Sequence, residues 1–311
     1  MNMVDADNEK NNDDELVKAL FNVKKSKKFG EKTAGLSSFA SFKYTAEGSE
    51  APDDNLQEVN AKLIEHSPYM KAFTCTAEMR EDNMFDPMAQ SSKAYVRAYK
   101  RTRAEIASIA LTSEGATYDY GGHTSFDRTT GDGKALFATD HSGISGVKAQ
   151  SNVFTDAFGD DDAMLNRLAN IGFNFMNASG NRMGYTFDTL IVPGNAYRLI
   201  TLGKKIINSD QQVNSDFNDV NVNKGMWKLV VDHHWQVAEG YEPYIIMSSQ
   251  ANKDLNGSLF YDRIPLTMKQ DVEVKTHNLV TSGRFRVGVG FGDWRHVIMG
   301  GAKAGTTLVG G

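Results

Sequence analysis

An aspartate followed by two histidines is the group in this sequence best suited to metal or acid–base chemistry. Asp232, His233 and His234 come directly after the apolar run 229–231, which predicts a buried strand. Adjacent residues on a strand point to opposite faces, so the two imidazoles would not share one metal ion. The HExxH spacing that places two histidines on one helix face is absent from the sequence. We therefore interpret His233 and His234 as exposed or interface histidines in preference to a metal site.

A second candidate combines a base with a nucleophile in the segment from Asp140 to Ser142. His141 could accept a proton from a serine hydroxyl, but the GxSxG turn that exposes a nucleophilic serine is absent. Nearby, residues 131–134 (GDGK) contain glycine and lysine without the spacing, or the following Ser/Thr, of a phosphate-binding P-loop. We interpret residues 131–134 as a turn.

Two charged runs have structural interpretations. The acidic residues 160–162 predict a charge cluster at a helix N-terminus, where the helix dipole favours negative groups; a metal site is the less favoured interpretation. A basic patch on one predicted helix comprises Arg97, Lys100, Arg101 and Arg103. For this patch we favour a solvated face or intersubunit salt bridges over phosphate contacts.

Composition limits the classes of function. The chain has 311 residues, of which 40% are apolar, so it can bury a core, and its net charge of −5 argues against a dedicated nucleic-acid-binding protein. The single cysteine, Cys75, excludes an internal disulfide and lies in an alternating run typical of a half-buried strand. No apolar run reaches the roughly 18 residues that cross a bilayer, and the acidic N-terminus is the reverse of a signal peptide. We expect synthesis in a cytoplasm and no membrane partner, and we assign no catalytic, cofactor-binding or metal-binding residue and no cofactor.

The elements that would position these groups begin with an arm and a long hairpin. A short amphipathic helix is predicted by apolar residues at helical spacing, namely Leu16, Val17, Leu20 and Phe21. Residues 39–49 alternate as a strand does, residues 48–55 form a turn cluster, and residues 58–77 return. Because isolated two-stranded ribbons are marginally stable, we expect this hairpin of about 40 residues to find support outside its own subunit.

One long helix is predicted over residues 88–111. Pro87 suits a first helical turn, apolar residues recur at three-to-four spacing, and Gly115 follows the run. At 1.5 Å per residue the helix would be roughly 36 Å long, a spine against which a sheet packs. The Gly/Ser/Thr/Asp-rich residues 113–152 predict exposed loops with a short strand-like piece at 135–138.

The second half of the chain alternates helical and strand patterns. Helices are predicted from the acidic run to about Met176 and from Ala196 to Leu202, and strands at 187–192, 229–231 and 244–247. Residues 268–300 alternate in the manner of strands, and Gly288, Gly290 and Gly292 on one of them indicate close backbone packing. These patterns predict an α+β fold.

Three stretches in this order resemble a known family. They are TAEMREDN at 76–83 leading into the long helix, LIVPGNAY at 190–197, and HNLV at 277–280 through RFRV at 284–287 to DWRHVIMG at 293–300. The order of elements and these stretches resemble the major capsid proteins of tailed bacteriophages with the Hong-Kong-97-type fold, among them the Mu-like head subunits.

The resemblance implies an N-terminal arm, an extended hairpin loop, a spine helix with a peripheral sheet, and an α/β axial domain. It divides the chain into an arm at 1–38, an extended hairpin loop at 39–83, a peripheral domain at 84–152 with the spine helix at 88–111, an axial domain at 153–262, and return strands of the peripheral domain at 263–311.

The function that the resemblance implies is structural, not enzymatic. Copies of the chain would assemble in the host cytoplasm into pentamers and hexamers of an icosahedral shell around double-stranded DNA, without sequence-specific DNA binding. Only 38 residues precede the hairpin, too few for the long scaffolding segment of many relatives. We therefore expect a separate scaffold protein, or a short arm that does part of its work, with a portal and optional decoration proteins as further partners. Lys43 lies in the hairpin, but no residue stands out as the partner of a covalent crosslink, and we assign none.

Three alternatives remain open from the sequence. An encapsulin-like nanocompartment shell protein shares the fold, and a phage tail or baseplate protein is also structural. A metal-dependent hydrolase would use Asp232, His233, Asp140 or His141.

Overall fold

In a computed structural model, the protein folds as an α+β chain that divides into two units. The structure describes residues 12–36, 44–50, 58–82, 85–141, 148–177, 180–213 and 219–302. Unit 1 comprises Met1–Glu31, Ile64–Ser108 and Leu259–Val289, and unit 2 comprises Lys32–Leu63, Ile109–Ser258 and Gly290–Gly311.

The elements are numbered in chain order. The helices are α1 Asn12–Leu20, α2 Ala77–Glu81, α3 Phe85–Thr112, α4 Ala163–Phe173, α5 Tyr197–Asn208 and α6 Ser249–Asp254. The strands are β1 Asn22–Lys25, β2 Gly30–Leu36, β3 Glu58–Glu65, β4 Ser67–Cys75, β5 Thr117–Tyr120, β6 His123–Asp127, β7 Thr189–Pro193, β8 Lys228–Asp232, β9 Tyr244–Met247, β10 Ser258–Val272, β11 Leu279–Phe291 and β12 Val297–Gly300.

Unit 1 is built on a four-stranded sheet in the order β1-β10-β11-β4. Strand β4 runs antiparallel to β11, with Cys75 opposite Leu279 and Ser67 opposite Val287. Strand β1 runs parallel to β10. Cys75 is buried in β4, which confirms its assignment to a strand.

Helix α3 packs on the sheet of unit 1 through aromatic side chains. The Tyr95 hydroxyl donates to the Lys71 carbonyl of β4 at 2.5 Å. It also lies over Gly283 of β11, where a Cβ atom would overlap the phenol, so this contact requires glycine. One turn further on, Tyr99 meets Phe285 edge to face, with ring centroids 4.8 Å apart. Tight packing on glycine and aromatic contacts together fix the helix on the sheet.

The start of the first described segment is part of unit 1. Helix α1 buries Leu16, Val17 and Leu20, and Phe21 meets Phe260 of β10 edge to face at 6.2 Å. The predicted amphipathic helix is therefore confirmed. Residues 12–25 of the segment expected to be an extended arm (1–38) are instead helix and sheet of their own subunit.

Unit 2 is built on a second four-stranded sheet, in the order β12-β9-β7-β8. Strand β7 runs parallel to β8 and antiparallel to β9, and β9 runs antiparallel to β12. Every residue of β7, β9 and β12 is buried, as in a sheet that is covered on both faces. Gly203 of α5 approaches Leu229 of β8 closely. The predicted strands at 187–192, 229–231 and 244–247 are confirmed, with small shifts in their ends.

A buried arginine closes the C-terminal end of α3. The Arg128 guanidinium donates to the carbonyl oxygens of Ala110 at 2.6 Å, Leu111 at 2.8 Å and Gly115 at 2.9 Å, and it lies 5.2 Å from the Phe137 ring centroid. Burial lowers the pKa of Arg128 to about 9, so it stays positively charged at neutral pH. The guanidinium donates to carbonyls that have no hydrogen-bond partner within the helix. Its positive charge also lies at the C-terminal end of α3, which is the negative end of the helix dipole.

The predicted spine helix is confirmed and is longer than expected. Residues 85–112 are helical, in place of 88–111, and the 28 residues give a length of about 42 Å. The helix ends three residues before Gly115, whose φ of 93° belongs to the left-handed region that glycine tolerates best.

The predicted hairpin is partly wrong. Residues 44–49 of the strand expected at 39–49 form no strand, and residues 39–43 lie outside the described residues. The two-stranded ribbon consists of β2 and β3, so its first strand lies earlier in the chain. Strand β4, which we assigned to the hairpin loop at 39–83, is paired with β11 in the sheet of unit 1. Alternation predicts strands but does not determine their partners.

The expectation of exposed loops at 113–152 is also partly wrong. Strands β5 and β6 form an antiparallel pair, and residues 135–138 are buried almost completely. Their backbone is satisfied by the Asn152 side chain, which donates to the Leu136 carbonyl at 2.8 Å and accepts from the Ala138 amide at 3.0 Å. A side chain thus replaces the strand partner that buried backbone needs.

Candidate assembly surfaces

The two adjacent histidines lie in a turn and not on a strand. Strand β8 ends at Asp232, which is buried and whose carboxylate accepts from the amides of His234 at 3.0 Å and Trp235 at 3.2 Å. The rings of His233 and His234 lie 4.3 Å apart, so the expectation that they point to opposite faces is wrong. Asp232 therefore has a structural role in closing the turn after β8.

His141 belongs to a buried polar cluster that sequence reasoning did not identify. Its Nδ1 lies 2.7 Å from Oδ2 of Asp132, and its Nε2 lies 3.2 Å from Oδ1 of Asn152. Asp140, the neighbour of His141 in the sequence, is exposed and pairs with Lys134 at 2.7 Å. Ser142 lies outside the described residues. The turn predicted at 131–134 is confirmed. Asp132, which lies between two glycines in this turn, is the partner of His141.

His141 lies between two groups that accept hydrogen bonds. The Ala138 amide donates to Oδ1 of Asn152, so this atom is the carbonyl oxygen, and both ring nitrogens of His141 face acceptors. The ring stacks on Trp294 at 4.2 Å. Although burial alone would raise the pKa of Asp132, the hydrogen bond and electrostatic attraction of His141 hold that pKa below its usual value. His141 is thus bound into a buried polar cluster of its own subunit.

Two of the four residues of the predicted basic patch, Lys100 and Arg103, belong to an internal ion-pair cluster. Arg103 donates to Asp14 of α1 at 2.9 Å and to Asp262 of β10 at 2.8 Å, and Lys100 is buried 3.8 Å from Asp14. Arg101 pairs with its helical neighbour Glu105. For Lys100 and Arg103 the expectation of a solvated face or intersubunit salt bridges is wrong, because these side chains tie α1 to α3 within one subunit.

The acidic run at 160–162 divides into different roles. Asp161 accepts from the Ala163 amide at the start of α4, in keeping with a helix N-terminus. Asp160 lies 3.6 Å from Arg198 of α5. Asp162 is buried and binds the amide side chains of Gln212 at 3.1 Å and Asn223 at 2.7 Å.

Asp162 is thus one of the anchors of the segment 219–226, called here the valine loop. A second anchor is Asn221, whose Nδ2 donates to the carbonyls of Ile206 at 2.6 Å and Ser209 at 2.9 Å at the end of α5. Asn223 accepts from the Trp227 indole at 3.0 Å. Buried amide and carboxylate groups therefore hold the loop in a defined conformation.

The valine loop presents apolar side chains to solvent. Val220 is 78% exposed, Val222 69% and Met226 64%. Single exposed apolar residues are ordinary, but several on one anchored loop are typical of a protein-contact surface. The loop is the strongest candidate contact site among the described residues of unit 2.

A groove beside helix α5 lies in the same unit. It encloses about 530 Å³ and is lined by Asp160, Tyr197, Arg198, Thr201, Leu202, Lys205 and Val213. Tyr197 is 77% exposed at its edge. Arg198 is fixed by Glu242 at 3.1 Å and by the Phe158 carbonyl at 2.8 Å. The groove combines an aromatic side chain with cationic groups, a composition common at protein interfaces.

The described helices contain no segment long and apolar enough to cross a membrane.

Comparison with solved structures identifies the fold. The chain is similar to the capsid of the cyanophage P-SCSP1u (13% identity, 90% of this chain and 86% of that chain, TM-score 0.55). It is also similar to the capsid of a native GTA particle (12%, 92% and 89%, 0.56) and the capsid of the Myoviridae phage XM1 (10%, 88% and 85%, 0.53). At these identities the likeness establishes the fold alone.

Comparison at the level of sequence families covers most of the chain. No curated protein matches. The family model described as phage capsid protein matches residues 62–300, a range that includes α3, both four-stranded sheets except β1, and the valine loop. The encapsulin-like, tail-protein and hydrolase alternatives are not favoured by this match. The chain therefore belongs to the phage capsid protein family.

Proposed function

We propose that copies of this chain, a major capsid protein located in the virion, form pentamers and hexamers of a closed icosahedral shell around double-stranded DNA. The observation that carries the proposal is the match to the phage capsid family over residues 62–300. The net charge of −5 suits a wall that confines DNA without gripping it. A structural role without catalysis is part of the proposal, as are a separate scaffold protein, a portal and optional decoration proteins.

The Hong-Kong-97-type domain plan is part of the same proposal. Unit 1, with α3 on the sheet of β4, β10 and β11, would be the peripheral domain. Unit 2, with the covered sheet of β7, β8, β9 and β12, would be the axial domain expected at 153–262. The ribbon of β2 and β3 would be the extended loop. Its first strand, β2, begins at Gly30, earlier than the residue 39 expected from the sequence.

The valine loop is the proposed contact between copies in a ring. A head-to-tail contact joins two different surfaces of the same chain and closes a ring when the rotation fits. The apolar side chains of the valine loop and the groove beside α5 are two different surfaces of unit 2 that could serve as the two halves. Burial of Val220 and Val222 on a neighbour would stabilise each contact by roughly 1–3 kcal/mol, repeated around the ring.

The double variant Val220→Asp/Val222→Asp tests this contact. Both side chains are exposed, so the subunit should fold normally, but two buried carboxylates would disfavour the contact. We expect at least about a tenfold loss of shells in electron micrographs, with an unchanged circular dichroism spectrum.

Val274→Asp is the matched control, because Val274 is 87% exposed in a turn of unit 1. The control should assemble as the unsubstituted chain does. Normal shells from the double variant would show that the valine loop is not a contact. If the unsubstituted chain itself forms no shells with its scaffold protein, the proposed function is wrong.

A further inference from the structure

A buried histidine lies where β3 ends and β4 begins. His66 is the single residue between the two strands, and it is 5% exposed. Its Nε2 lies 3.0 Å from the hydroxyl of Ser26, the residue directly after β1. That hydroxyl donates to Glu31 of β2 at 2.8 Å. Ser26, Glu31 and His66, called here the clasp, therefore connect the start of β2 with the end of β3.

The direction of each hydrogen bond fixes the protonation of His66. The single hydroxyl proton of Ser26 is donated in the hydrogen bond to Glu31. The Ser26 oxygen must therefore accept a hydrogen bond from Nε2–H of His66. Nδ1 of His66 is buried and has no hydrogen-bond partner among the described residues. His66 is thus neutral, with a lone pair on Nδ1.

The surroundings leave no place for a second proton on the ring. Nδ1 of His66 packs against Gly288 of β11, so closely that a Cβ atom there would stand 2.5 Å from it. Arg286 donates to the His66 carbonyl at 3.0 Å. A proton on Nδ1 would have no acceptor, and the resulting cation would be close to positive charge.

The charged groups that face His66 act in opposite directions. Burial has the largest effect and lowers the pKa of His66, and Arg286 and Arg263 lower it further. Glu31 is the group that raises it. The remaining ring neighbour is Tyr261, edge to face at 5.9 Å. The clasp is therefore fully formed above the ordinary histidine pKa of 6.5 and weakens as the pH falls below that value.

We propose that Ser26, Glu31 and His66 form a proton-sensitive clasp: neutral His66 holds the start of β2 and the end of β3 together, and protonated His66 releases them. This device is independent of which surface of the chain contacts another copy. It provides a local opening at mildly acidic pH while the rest of unit 1 stays folded.

Hydrogen exchange of the full-length chain between pH 7.5 and 5 tests the clasp. With rates corrected for the intrinsic pH effect, we expect protection at 26–31 and 64–67 to fall about tenfold or more over this range. The His66→Gln variant keeps an N–H donor for Ser26 but cannot be protonated, so its protection should be independent of pH. His123→Gln, which removes an exposed histidine of unit 2, should behave as the unsubstituted chain does.

Equal pH dependence in His66→Gln and the unsubstituted chain would overturn the proposal. If His66→Gln does not fold, the imidazole signals of the unsubstituted chain in NMR provide the second measurement. The charging of His66 should then coincide with the loss of protection. Charging of His66 without any loss of protection would also overturn the proposal.

Discussion

His66 in unit 1 and His141 in unit 2 are both buried imidazoles bonded to polar side chains, yet their ring nitrogens have different surroundings. His141 has an acceptor at each nitrogen, Asp132 and Asn152. His66 has an acceptor at one nitrogen and a glycine at the other, and is neutral. Burial is common to both, so the number of acceptors that the fold places around the ring distinguishes them.

A third buried histidine extends the comparison. His296 lies in unit 2 with Nδ1 2.7 Å from the Asp293 carbonyl and Nε2 2.6 Å from the Ser258 hydroxyl. A hydroxyl can donate, so Nε2 can keep its lone pair and the ring can be neutral. Burial lowers its pKa to about 4. His66 and His296 thus each face one group that must accept, whereas His141 faces two.

The largest expected effect comes from removing the carboxylate beside His141. Asp132→Asn leaves the buried His141 without its carboxylate partner at 2.7 Å, and the loss of one member of a buried pair costs about 3–5 kcal/mol. The free energy of unfolding in urea measures it. Asp140→Asn, at the exposed neighbour, should change stability by less than about 0.5 kcal/mol. Equal effects of the two variants would mean that the contact between Asp132 and His141 does not stabilise the fold.

The pH dependence of His296 gives the next largest effect. Its pKa is about 4 when folded and 6.5 ordinarily, so the unfolded chain binds more protons between these values and stability falls as the pH falls. The loss should reach on the order of 3 kcal/mol at pH 4. In His296→Asn this part of the slope should vanish in unfolding measurements from pH 7 to 4. An unchanged slope would assign the acid sensitivity to other groups.

The smallest of these effects comes from crowding the neutral ring of the clasp. In Gly288→Ala the new methyl group would overlap His66 and the Glu65 carbonyl, so the ring or the strand must shift. We expect a loss of about 1–3 kcal/mol in the free energy of unfolding. Exchange protection at 64–67 should fall at neutral pH as well. A stable variant with normal protection would show that the contact between His66 and Gly288 is loose.

Local patterns in the sequence were sufficient to predict the helices and strands whose apolar residues recur at regular spacing. The apolar spacing of α1 and of α3 predicted both helices, and short apolar runs predicted β7, β8 and β9. The hairpin was less predictable, because β2 (GEKTAGL) carries two glycines and owes its strand conformation to pairing with β3. The resemblance in the order of elements indicated the capsid family, which the family match bears out.

The partners of polar side chains could not be predicted in the same way. His141 stands beside Asp140 in the sequence but binds Asp132, and Arg103 of the predicted basic face binds Asp14 and Asp262, 89 and 159 residues away. The anchoring of the valine loop by Asp162 likewise joins groups that are 61 residues apart. Spacing along a chain does not report which side chains the fold brings together.

By itself the sequence determined the kind of protein: an acidic chain with a long amphipathic helix, apolar strands in a recognisable order, and no regular catalytic or metal-binding motif. The tertiary structure alone decided which acceptors each buried histidine meets, which ion pairs are internal and which apolar side chains remain exposed. The physical reason is the range of the interactions. Helical and strand periodicity arise between near neighbours, whereas burial and hydrogen-bond partners arise only when distant segments pack.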